Sequence, residues 1–462
     1  MPSPDSPAKT TRRPRRPRRS TALLLIGSVA ALLVASGAQL MPSEVRAPDH
    51  LSGASTDGEA SRERAAARVS GGGREDRPRI EGAMVGMGPE PMVEDLPPQN
   101  VIGTPEATPA VPSAAASPIP QATPAAPSAS AAPDGGVAGA PRRSGDYIII
   151  SAAELRSRPT SGPLWAALKK AADAAEGQPN LADQNQNNNV LVLAQALVYA
   201  RTGEAAYRDS VVANLKAVIG TEGHTTLALG REIAAYALAA DLVDLASAAP
   251  SFDSGTFRPW LRSLLTRQID GRTLVSTHEQ RPNNWGTHAS GSRAAIAAYL
   301  GDGAELARVA TVFRGWLGER AAYAGFEYRE LWWQADPSKP VGINPPGATI
   351  EGHNVDGVLP DDQRRYGSFT WPPPCGNYPH EALDGTLLTA EILSRAGYPA
   401  YGWSSSALLR AERWLQSIGC APDGDNAWHL PLFDARYGTN YWNGAPTRPG
   451  KNFGWTDWLY GS

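Results

Sequence analysis

The chain has 462 residues, 19% of them charged, and a formal net charge of -3. This balance argues against a protein that binds nucleic acids through a basic surface. Every Trp, Tyr and Phe lies after Asp146, and a segment without aromatic side chains has little from which to build a core. We therefore predict one folded domain over residues 145–462, which is long enough to close a hydrophobic core.

The N-terminal segment has the pattern of an export signal. A basic run, Arg12–Arg19, precedes an apolar stretch, Thr21–Leu40, which is long enough to span a bilayer. Small residues at Ser36–Ala38 allow cleavage, so we expect residues 1–40 to be a signal peptide or a signal anchor. Either outcome places the protein outside the cytoplasm, secreted or anchored at the cell surface, or in the periplasm of a Gram-negative cell. Membrane contact is expected only through this segment, and the folded domain is expected to be a monomer.

Residues 41–144 are rich in Pro, Ala, Ser and Gly, and Ala107–Pro141 is nearly pure low complexity. Such a chain cannot bury enough apolar surface to offset its conformational entropy. We predict a disordered spacer that holds the folded domain away from a membrane or wall.

The folded part is predicted to be all-α. Apolar residues recur at three- and four-residue spacing, and most such segments end near Gly or Pro. Short connections such as Thr202–Gly203 favour helical hairpins arranged in an incomplete (α/α) toroid or barrel. Tyr147–Ser151 is a short exception with the pattern of a strand. The predicted helices are Gly162–Ala175, Val190–Arg201, Glu204–Ile219, Leu229–Ala249, Gly255–Gln268, Ser290–Leu300, Ala304–Ala324, Leu383–Ala396 and Ser404–Ile418.

The motif Asn283–His288 (NNWGTH) stands at the entrance to the predicted helix Ser290–Leu300. If that helix extends back through the motif, Asn284 and His288 lie at i and i+4, on one face. An amide that can bind a carboxylate, beside an imidazole that can move a proton, suits chemistry on an acidic sugar. The motif also contributes Asn283 and Trp285 as candidate substrate-binding residues.

The segment Leu331–Ala382 is far longer than an ordinary connection, and such segments are usually functional. Arg364 and Arg365 within it suit bidentate binding of a carboxylate. The alternative is a solvated ion pair with Asp361 or Asp362.

Tyr378–His380 (YPH) opens an apolar helix later in the same segment. A tyrosine held rigidly at the edge of a cleft can take and return protons where a neighbouring cation stabilises its phenolate. The alternative is that the hydroxyl of Tyr378 caps the helix. His380 is a candidate substrate-binding residue.

Thirteen tryptophans are present, and flat indole faces stack well on sugar rings. We expect Trp332 and Trp371 in the long segment, together with Trp285, to face a ligand or else to pack in the core. The tryptophans inside helical patterns are assigned to the core: Trp165, Trp260, Trp316 and Trp414.

No metal and no organic cofactor are predicted. His278, His288, His353 and His380 could converge, but the sequence has no HExxH, CxxC or His-x-His spacing.

Cys375 and Cys420 are the two cysteines of the chain. We expect a disulfide between them because an exported protein meets an oxidising environment. Two buried thiols are the alternative.

Together these features resemble the alginate lyase domain, an (α/α) toroid polysaccharide lyase, over roughly Asn180–Ala396. Val190–Tyr207 resembles the early helix pair of the family. Asn283–Asn284, followed by an Ala-rich helix and Gly301–Asp302, resembles its Asn-Asn-His helix. Asp356–Leu383 resembles its Asp-Gly, Pro, Arg and Tyr series before a late helix.

Two departures from the family pattern affect the site. Trp285 takes the place of the His that follows the second Asn in mannuronate-cleaving members, and the nearest His is His288, one helical turn on. The interval from Arg to Tyr is also longer, since residues 371–375 are inserted. The choice between Arg364 and Arg365 therefore stays open.

The resemblance implies a lyase that cleaves an alginate-like acidic polysaccharide by β-elimination, without a metal or cofactor. Asn284 and Arg365, or Arg364, would bind the uronate carboxylate and stabilise the dianion that forms. Tyr378 would be both base and acid in a syn elimination. In an anti elimination, His288 would be the base and Tyr378 the acid.

Two other functions fit the same sequence. A helical-barrel glycoside hydrolase needs two carboxylates that face a cleft, and the chain offers Glu330, Glu351, Asp356, Asp361 and Glu381. A non-catalytic polysaccharide-binding domain at the cell surface would keep the aromatic residues but need no proton-transfer groups.

Overall fold

The computed structural model describes residues 145–174 and 177–461. The predicted signal segment, residues 1–40, and the predicted linker, residues 41–144, lie outside the described residues. Within the described part, no helix is both long enough and apolar enough to cross a bilayer.

The described residues are mostly helical, which confirms the all-α prediction. The α-helices are Ala152–Ser157 (α1), Gly162–Ala172 (α2), Asn188–Thr202 (α3), Ala205–Ala217 (α4), Thr226–Leu242 (α5), Leu245–Ala248 (α6), Pro250–Phe252 (α7), Arg258–Leu264 (α8), Leu274–Gln280 (α9), Asn284–Leu300 (α10), Gly303–Trp316 (α11), Pro360–Gln363 (α12), Tyr378–Arg395 (α13), Trp403–Ser417 (α14), His429–Tyr437 (α15) and Thr456–Tyr460 (α16). A π-helical turn at Asp253–Phe257 and 3-10 turns at Arg364–Tyr366 and Ala400–Gly402 complete the helical elements. Strands Thr349–Ile350 (β1) and His353–Asn354 (β2) form a small antiparallel hairpin.

Four helices form the interior of the domain. Helix α3 packs on α5, α5 packs on α10, and α10 packs on α13. Nearly every residue of α5 and α10 is buried, including polar side chains of both helices. Helices α4, α9 and α11 pack against the outside of this series. The series brings residues that are far apart in the sequence to one place.

Two glycines allow the interior helices to approach closely. A Cβ atom on Gly385 of α13 would collide with the backbone of Thr287 in α10. A Cβ atom on Gly230 of α5 would lie 3.1 Å from the backbone N of Ala289. Both contacts lie beside the NNWGTH motif, so the crossings hold α5, α10 and α13 together at that motif.

The ends of the helices follow local signals. Thr225 accepts a hydrogen bond from the backbone of Ala228 and caps α5, and Asp302 caps α11 in the same way. Helices α3 and α10 end at Gly203 and Gly301, which adopt the left-handed conformation that glycine favours.

Several predicted boundaries are wrong for identifiable reasons. Tyr147–Ser151 is not a strand, since its backbone bends and Ser151 begins α1 through a capping box with Glu154. The predicted helix Leu229–Ala249 stops at Leu242, and Asp244 then starts α6 with its own side-chain cap. Position 378, not 383, begins α13.

Two further predicted helices are shorter than expected. Gly255–Gln268 is a π-helical turn followed by α8, which begins only at Arg258. Ala304–Ala324 ends at Trp316, because Gly318 has a φ of 120° that no continuing helix allows. The short helices α1, α7, α9, α12, α15 and α16 were not predicted from the sequence.

The tryptophans assigned to the core are placed as predicted. Trp260, Trp316 and Trp414 are buried, and Trp165 packs against the core from a partly buried position. Cys375 and Cys420 form the predicted disulfide.

Candidate active site

The NNWGTH motif forms the first turn of α10, so Asn284 and His288 lie one turn apart on that helix. Both side chains are buried, with exposures of 1% and 0%. The backbone N–H of Asn284 donates to Oδ1 of Asp362 at 2.9 Å. A carboxyl group at this position satisfies one of the unpaired amides of the helix start and so fixes where α10 begins.

Glu381 of α13 is the centre of a buried polar network. Its Oε2 accepts a hydrogen bond from Nδ2 of Asn284 at 2.8 Å and is ion-paired with Arg231 of α5. Its Oε1 accepts from Nδ2 of Asn377 at 3.1 Å. Nε2 of His288 lies 3.9 Å from Oε2. Helices α5, α10 and α13 thus each contribute a side chain to one carboxylate, and we call this set the Glu381 network.

The charges in the Glu381 network compensate one another. Burial alone would raise the pKa of Glu381, but the Arg231 guanidinium and the hydrogen bond from Asn284 hold it well below its usual range. Burial lowers the pKa of His288, and Arg231 adds to this effect. At neutral pH the network therefore contains an ionised carboxylate, a guanidinium and a neutral imidazole.

Asn452 sets the tautomer of His288. The amide Nδ2 of Asn452 donates to the carbonyl O of Gly230 at 2.7 Å, so its Oδ1 faces Nδ1 of His288 and accepts the proton there. Nε2 of His288 then carries the lone pair, and it has no hydrogen-bond partner among the described residues. The imidazole is held as a neutral base that points toward Glu381.

Tyr378 lies one turn before Glu381 on α13 and is half-buried. The guanidinium of Arg365 lies 4.2 Å from the centre of its ring, close enough for a cation–π contact. The backbone N–H of Tyr378 donates to Oη of Tyr366 at 3.0 Å. Residues three apart on a helix share a face, so Tyr378 lies on the same face of α13 as Glu381, with Arg365 against its ring.

Arg364 and Arg365 have different surroundings. Arg364 donates to Asp361 at 3.0 Å and to Glu330 at 2.7 Å. Two carboxylates thus already neutralise Arg364, which matches the ion-pair alternative considered from the sequence. Arg365 is the arginine of this pair that lies beside Tyr378.

The other candidate substrate-binding residues are spread over the domain. Asn283 is buried, and its Oδ1 lacks a hydrogen-bond partner in the described part of the chain. The guanidinium of Arg281 lies 4.0 Å from the ring centre of Trp285. Trp332 and Trp371 are 48% and 40% exposed. These exposures leave both indoles able to meet a ligand.

Trp332 and Trp371 flank the β1–β2 hairpin. Trp332 borders a shallow hollow with Ile350 of β1. Trp371 stacks on His353 of β2, with ring centres 4.5 Å apart, and His353 pairs with Ile350 in the hairpin. The two exposed indoles therefore belong to one surface region.

His380 has different neighbours from the rest of the predicted site. Its ring stacks on His429, and Nε2 lies 3.7 Å from Sγ of Cys420. None of these contacts joins it to Asn284. Its predicted role in substrate binding stays a prediction without a supporting contact.

Sequence reasoning missed Arg231 and Asn452, and it considered Glu381 only as a carboxylate for the hydrolase alternative. The signal for Arg231 was present, because Arg231 and Glu232 interrupt an otherwise apolar run in α5. Charged residues are almost never fully buried unless they are paired. Nothing local to Asn452 distinguishes it from the other Asn residues near the C-terminus.

Glu232 is a second buried carboxyl group beside the network. It is 0% exposed, and neither oxygen has a hydrogen-bond partner among the described residues. Lys451 donates instead to the carbonyl O of Gln186 at 2.9 Å and to Oδ1 of Asn187 at 3.3 Å. Burial raises the pKa of Glu232 above its ordinary value of 4.5, so the folded protein holds this group as the neutral acid.

Glu232→Gln is expected to flatten the fall of stability with rising pH. Between pH 4.5 and its raised pKa, Glu232 holds a proton in the folded state but not in the unfolded state. The free energy of unfolding therefore decreases as the pH rises through this window, and the neutral amide removes that contribution. Urea midpoints measured from about pH 5 to about pH 9 should diverge between the two proteins. The exposed Glu204→Gln is the control, and parallel curves for Glu232→Gln and wild type would contradict the assignment.

Residues 170–332 match the family model described as Alginate lyase. No curated protein sequence matches the chain. The matched range includes Arg231, Asn284 and His288, and it ends before Arg365 and Tyr378. Over residues 170–332 the match confirms the resemblance to the alginate lyase family that was drawn from the sequence.

Proposed function

We propose that the protein is a polysaccharide lyase that cleaves a uronate-containing, alginate-like polymer by β-elimination. The family match supports lyase activity on a polysaccharide. The observation that carries the proposal is the Glu381 network with Tyr378 and Arg365 beside it. We further propose that the paired helices around this network form an incomplete (α/α) toroid.

Elimination needs the uronate carboxylate to be neutralised, since the proton on C5 is hardly acidic beside a full negative charge. Arg365 is the proposed cation, because its guanidinium lies against the ring of Tyr378. Asn284 is the proposed amide donor. Glu381 takes one of the two Nδ2 hydrogens and so orients the amide, which leaves the second hydrogen to donate to the substrate.

Tyr378 is the proposed proton-transfer group. Its phenolate takes the proton from C5, the C–H electrons form the C4=C5 double bond, and the C4–O4 bond breaks. The phenol then returns the proton to the departing O4. Nδ1 of His288 is bonded to Asn452 and Nε2 faces Glu381, whereas Tyr378 is half-buried and lies beside the proposed cation, Arg365. This difference favours a syn elimination with Tyr378 as base and acid, and it makes His288 a positioning residue for Glu381.

The carboxylates needed by the hydrolase alternative are mostly committed to arginines. Glu381 pairs with Arg231, Asp361 and Glu330 pair with Arg364, and Asp356 pairs with Arg410. Glu351 is exposed on the β-hairpin turn. A glycoside hydrolase needs two carboxyl groups, one ionised and one protonated, that flank a sugar-binding cleft. Carboxylates held in ion pairs with arginine do not favour that mechanism.

The test of the proposed function is product absorbance on a panel of alginate, glucuronan, hyaluronan and pectate. Elimination creates a double bond conjugated with the carboxylate, so the product absorbs ultraviolet light, whereas the product of hydrolysis does not. We expect absorbance to rise with at least one of these polymers. New reducing ends without absorbance would instead support a hydrolase, and binding without either signal would support the non-catalytic alternative.

Asn284→Ala is expected to lower kcat more than it raises KM. The hydrogen bond from Asn284 strengthens as negative charge develops on the substrate, so its loss costs mainly transition-state stabilisation. Loss of one such donor costs about 10²–10³ in kcat. Initial rates over a range of polymer concentrations give both constants. A change confined to KM would mean that Asn284 only binds the substrate.

We also propose that the protein acts outside the cytoplasm. The basic run and apolar stretch of residues 1–40 support export. The Cys375–Cys420 disulfide fits an oxidising compartment.

A further inference from the structure

A second buried polar cluster lies where helices α13, α14 and α15 meet. It consists of His380, Glu412 and His429, which are 3%, 0% and 0% exposed. One ligand-type atom from each of the three residues lies within 4.8 Å of the other two. The Glu381 network uses none of these side chains, so the cluster needs its own explanation.

The carboxylate of Asp384 orients His429 within this cluster. Nδ1 of His429 is 2.8 Å from Oδ1 of Asp384, so Nδ1 carries the proton and Nε2 is left to bind something else. A carboxylate behind a histidine is the usual arrangement in protein metal sites, where it fixes the tautomer and raises the basicity of the ligating nitrogen.

The facing atoms of His429 and Glu412 are not hydrogen-bonded to each other. Nε2 of His429 lies 3.4 Å from Oε2 of Glu412, and neither atom has a hydrogen-bond partner among the described residues. Zinc is bound by His and carboxylate ligands at about 2.0–2.2 Å, so two ligands of a tetrahedral ion lie about 3.4 Å apart. The spacing of these two atoms leaves room for an ion between them, and the ligand atom of His380 lies within 4.8 Å of both.

We propose that His380, Glu412 and His429 bind a divalent transition-metal ion, with zinc as the expected occupant. Two imidazoles and one carboxylate are ligands that zinc accepts, and a water molecule can fill the fourth position. The negative charges of Glu412 and Asp384 balance the ion inside the protein. No metal was predicted from the sequence, because His429 and Glu412 come close to His380 only in the folded chain.

Burial indicates a structural ion. The three ligands come from helices α13, α14 and α15, so the ion ties three helices together at the end of α13 that carries Tyr378 and Glu381. Ligands that are 97% or more buried leave no path for a polymer, and a structural metal contributes directly to folding free energy.

The competing arrangement is an ion triad without metal. In the absence of an ion, burial would lower the pKa of His429, but Asp384 and Glu412 raise it to about 9. The imidazolium would then occupy the space between the two carboxylates. A proton and a metal ion compete for the same Nε2 atom, so metal binding by the intact protein decides between the two.

The experiment is metal analysis of the purified full chain by inductively coupled plasma mass spectrometry, before and after treatment with a chelator. We expect equimolar zinc in the untreated protein. The chelated protein should melt at a lower temperature and recover on addition of zinc. Cobalt added to the chelated protein should give the visible absorption of a tetrahedral site. No bound metal, with no effect of zinc or cobalt on melting or absorption, would overturn the proposal in favour of the ion triad.

Asp384→Asn gives a graded test, because the loss of a carboxylate behind a metal-bound histidine lowers metal affinity about 10–100-fold. Glu412→Gln and His429→Gln should abolish equimolar binding, and the control His353→Gln, in the β-hairpin, should retain it. If the two ligand variants do not fold, the cobalt spectrum of the wild-type protein still decides. Unchanged zinc affinity in Asp384→Asn would contradict the assigned geometry. Each of these readouts is independent of lyase activity.

Discussion

Tyr378→Phe is expected to leave a folded protein that has lost almost all eliminating activity. Proton transfer by one positioned side chain contributes about 10²–10⁴-fold to a rate. Tyr378 is proposed to act in both proton transfers, so we expect a loss of about a thousandfold or more in kcat. The phenyl ring keeps its contact with Arg365, so the melting temperature should change little. The measurement is the initial rate of ultraviolet-absorbing product.

Tyr441→Phe is the matched control for this substitution. Tyr441 is also a half-buried tyrosine, and its backbone N–H is bonded to Asp434 near the C-terminus. It should retain wild-type turnover. A Tyr378→Phe protein with normal turnover would remove Tyr378 from the mechanism and leave His288 as the proton-transfer candidate.

Arg231→Met is expected to cause the largest loss of stability at the candidate site. Arg231 is paired with Glu381, and the two side chains are 5% and 14% exposed. Removing one partner of a buried ion pair costs about 3–5 kcal/mol, because the other charge is left uncompensated. Methionine keeps most of the volume of the arginine side chain, so a change in packing contributes little. Urea denaturation measures the free energy of unfolding.

A second substitution separates the charge effect from the loss of contacts. Arg231→Met combined with Glu381→Leu removes both charges and should recover much of the lost stability. Arg208→Met is the surface control, since Arg208 and Asp209 form an exposed pair whose loss should change the stability little. If Arg231→Met and Arg208→Met have equal effects, the Glu381 network is not a buried ion pair in solution.

Much of the helical architecture follows from sequence periodicity. Helix α3 is rich in Leu, Val and Ala and helix α10 is rich in Ala, and they end at Gly203 and Gly301. These signals are local, so they can be recognised without the fold. The strand pattern of Tyr147–Ser151 was misleading, because a few alternating residues without a partner segment cannot specify pairing.

The candidate site was only partly predictable. Asn284 and His288 lie on one face because the spacing of four residues is local to α10. The partner of Asn284 is Glu381, and Glu381 is 150 residues from Arg231 in the sequence. No local pattern encodes that contact, which depends on the crossings of α5, α10 and α13.

Contacts between distant parts of the sequence also explain why Arg364 and Arg365 have different surroundings. Both occupy one 3-10 turn, where neighbouring side chains point in different directions. Glu330 is 34 residues away from Arg364 in the sequence, and only the folded segment brings the two together. The two arginines are equivalent in the sequence, and the difference between them arises from tertiary contacts.

The most direct test of the central claim is the mass of the products formed in water enriched in heavy oxygen. Elimination takes no oxygen from water, so products analysed before their reducing ends exchange oxygen with water should carry no heavy oxygen. Each fragment with a newly formed non-reducing end should be one water lighter than the corresponding hydrolytic product. We predict this result for the wild-type protein with a uronate polymer, and no product for Tyr378→Phe. Incorporation of one heavy oxygen at each cleaved bond would contradict the account and establish a hydrolase.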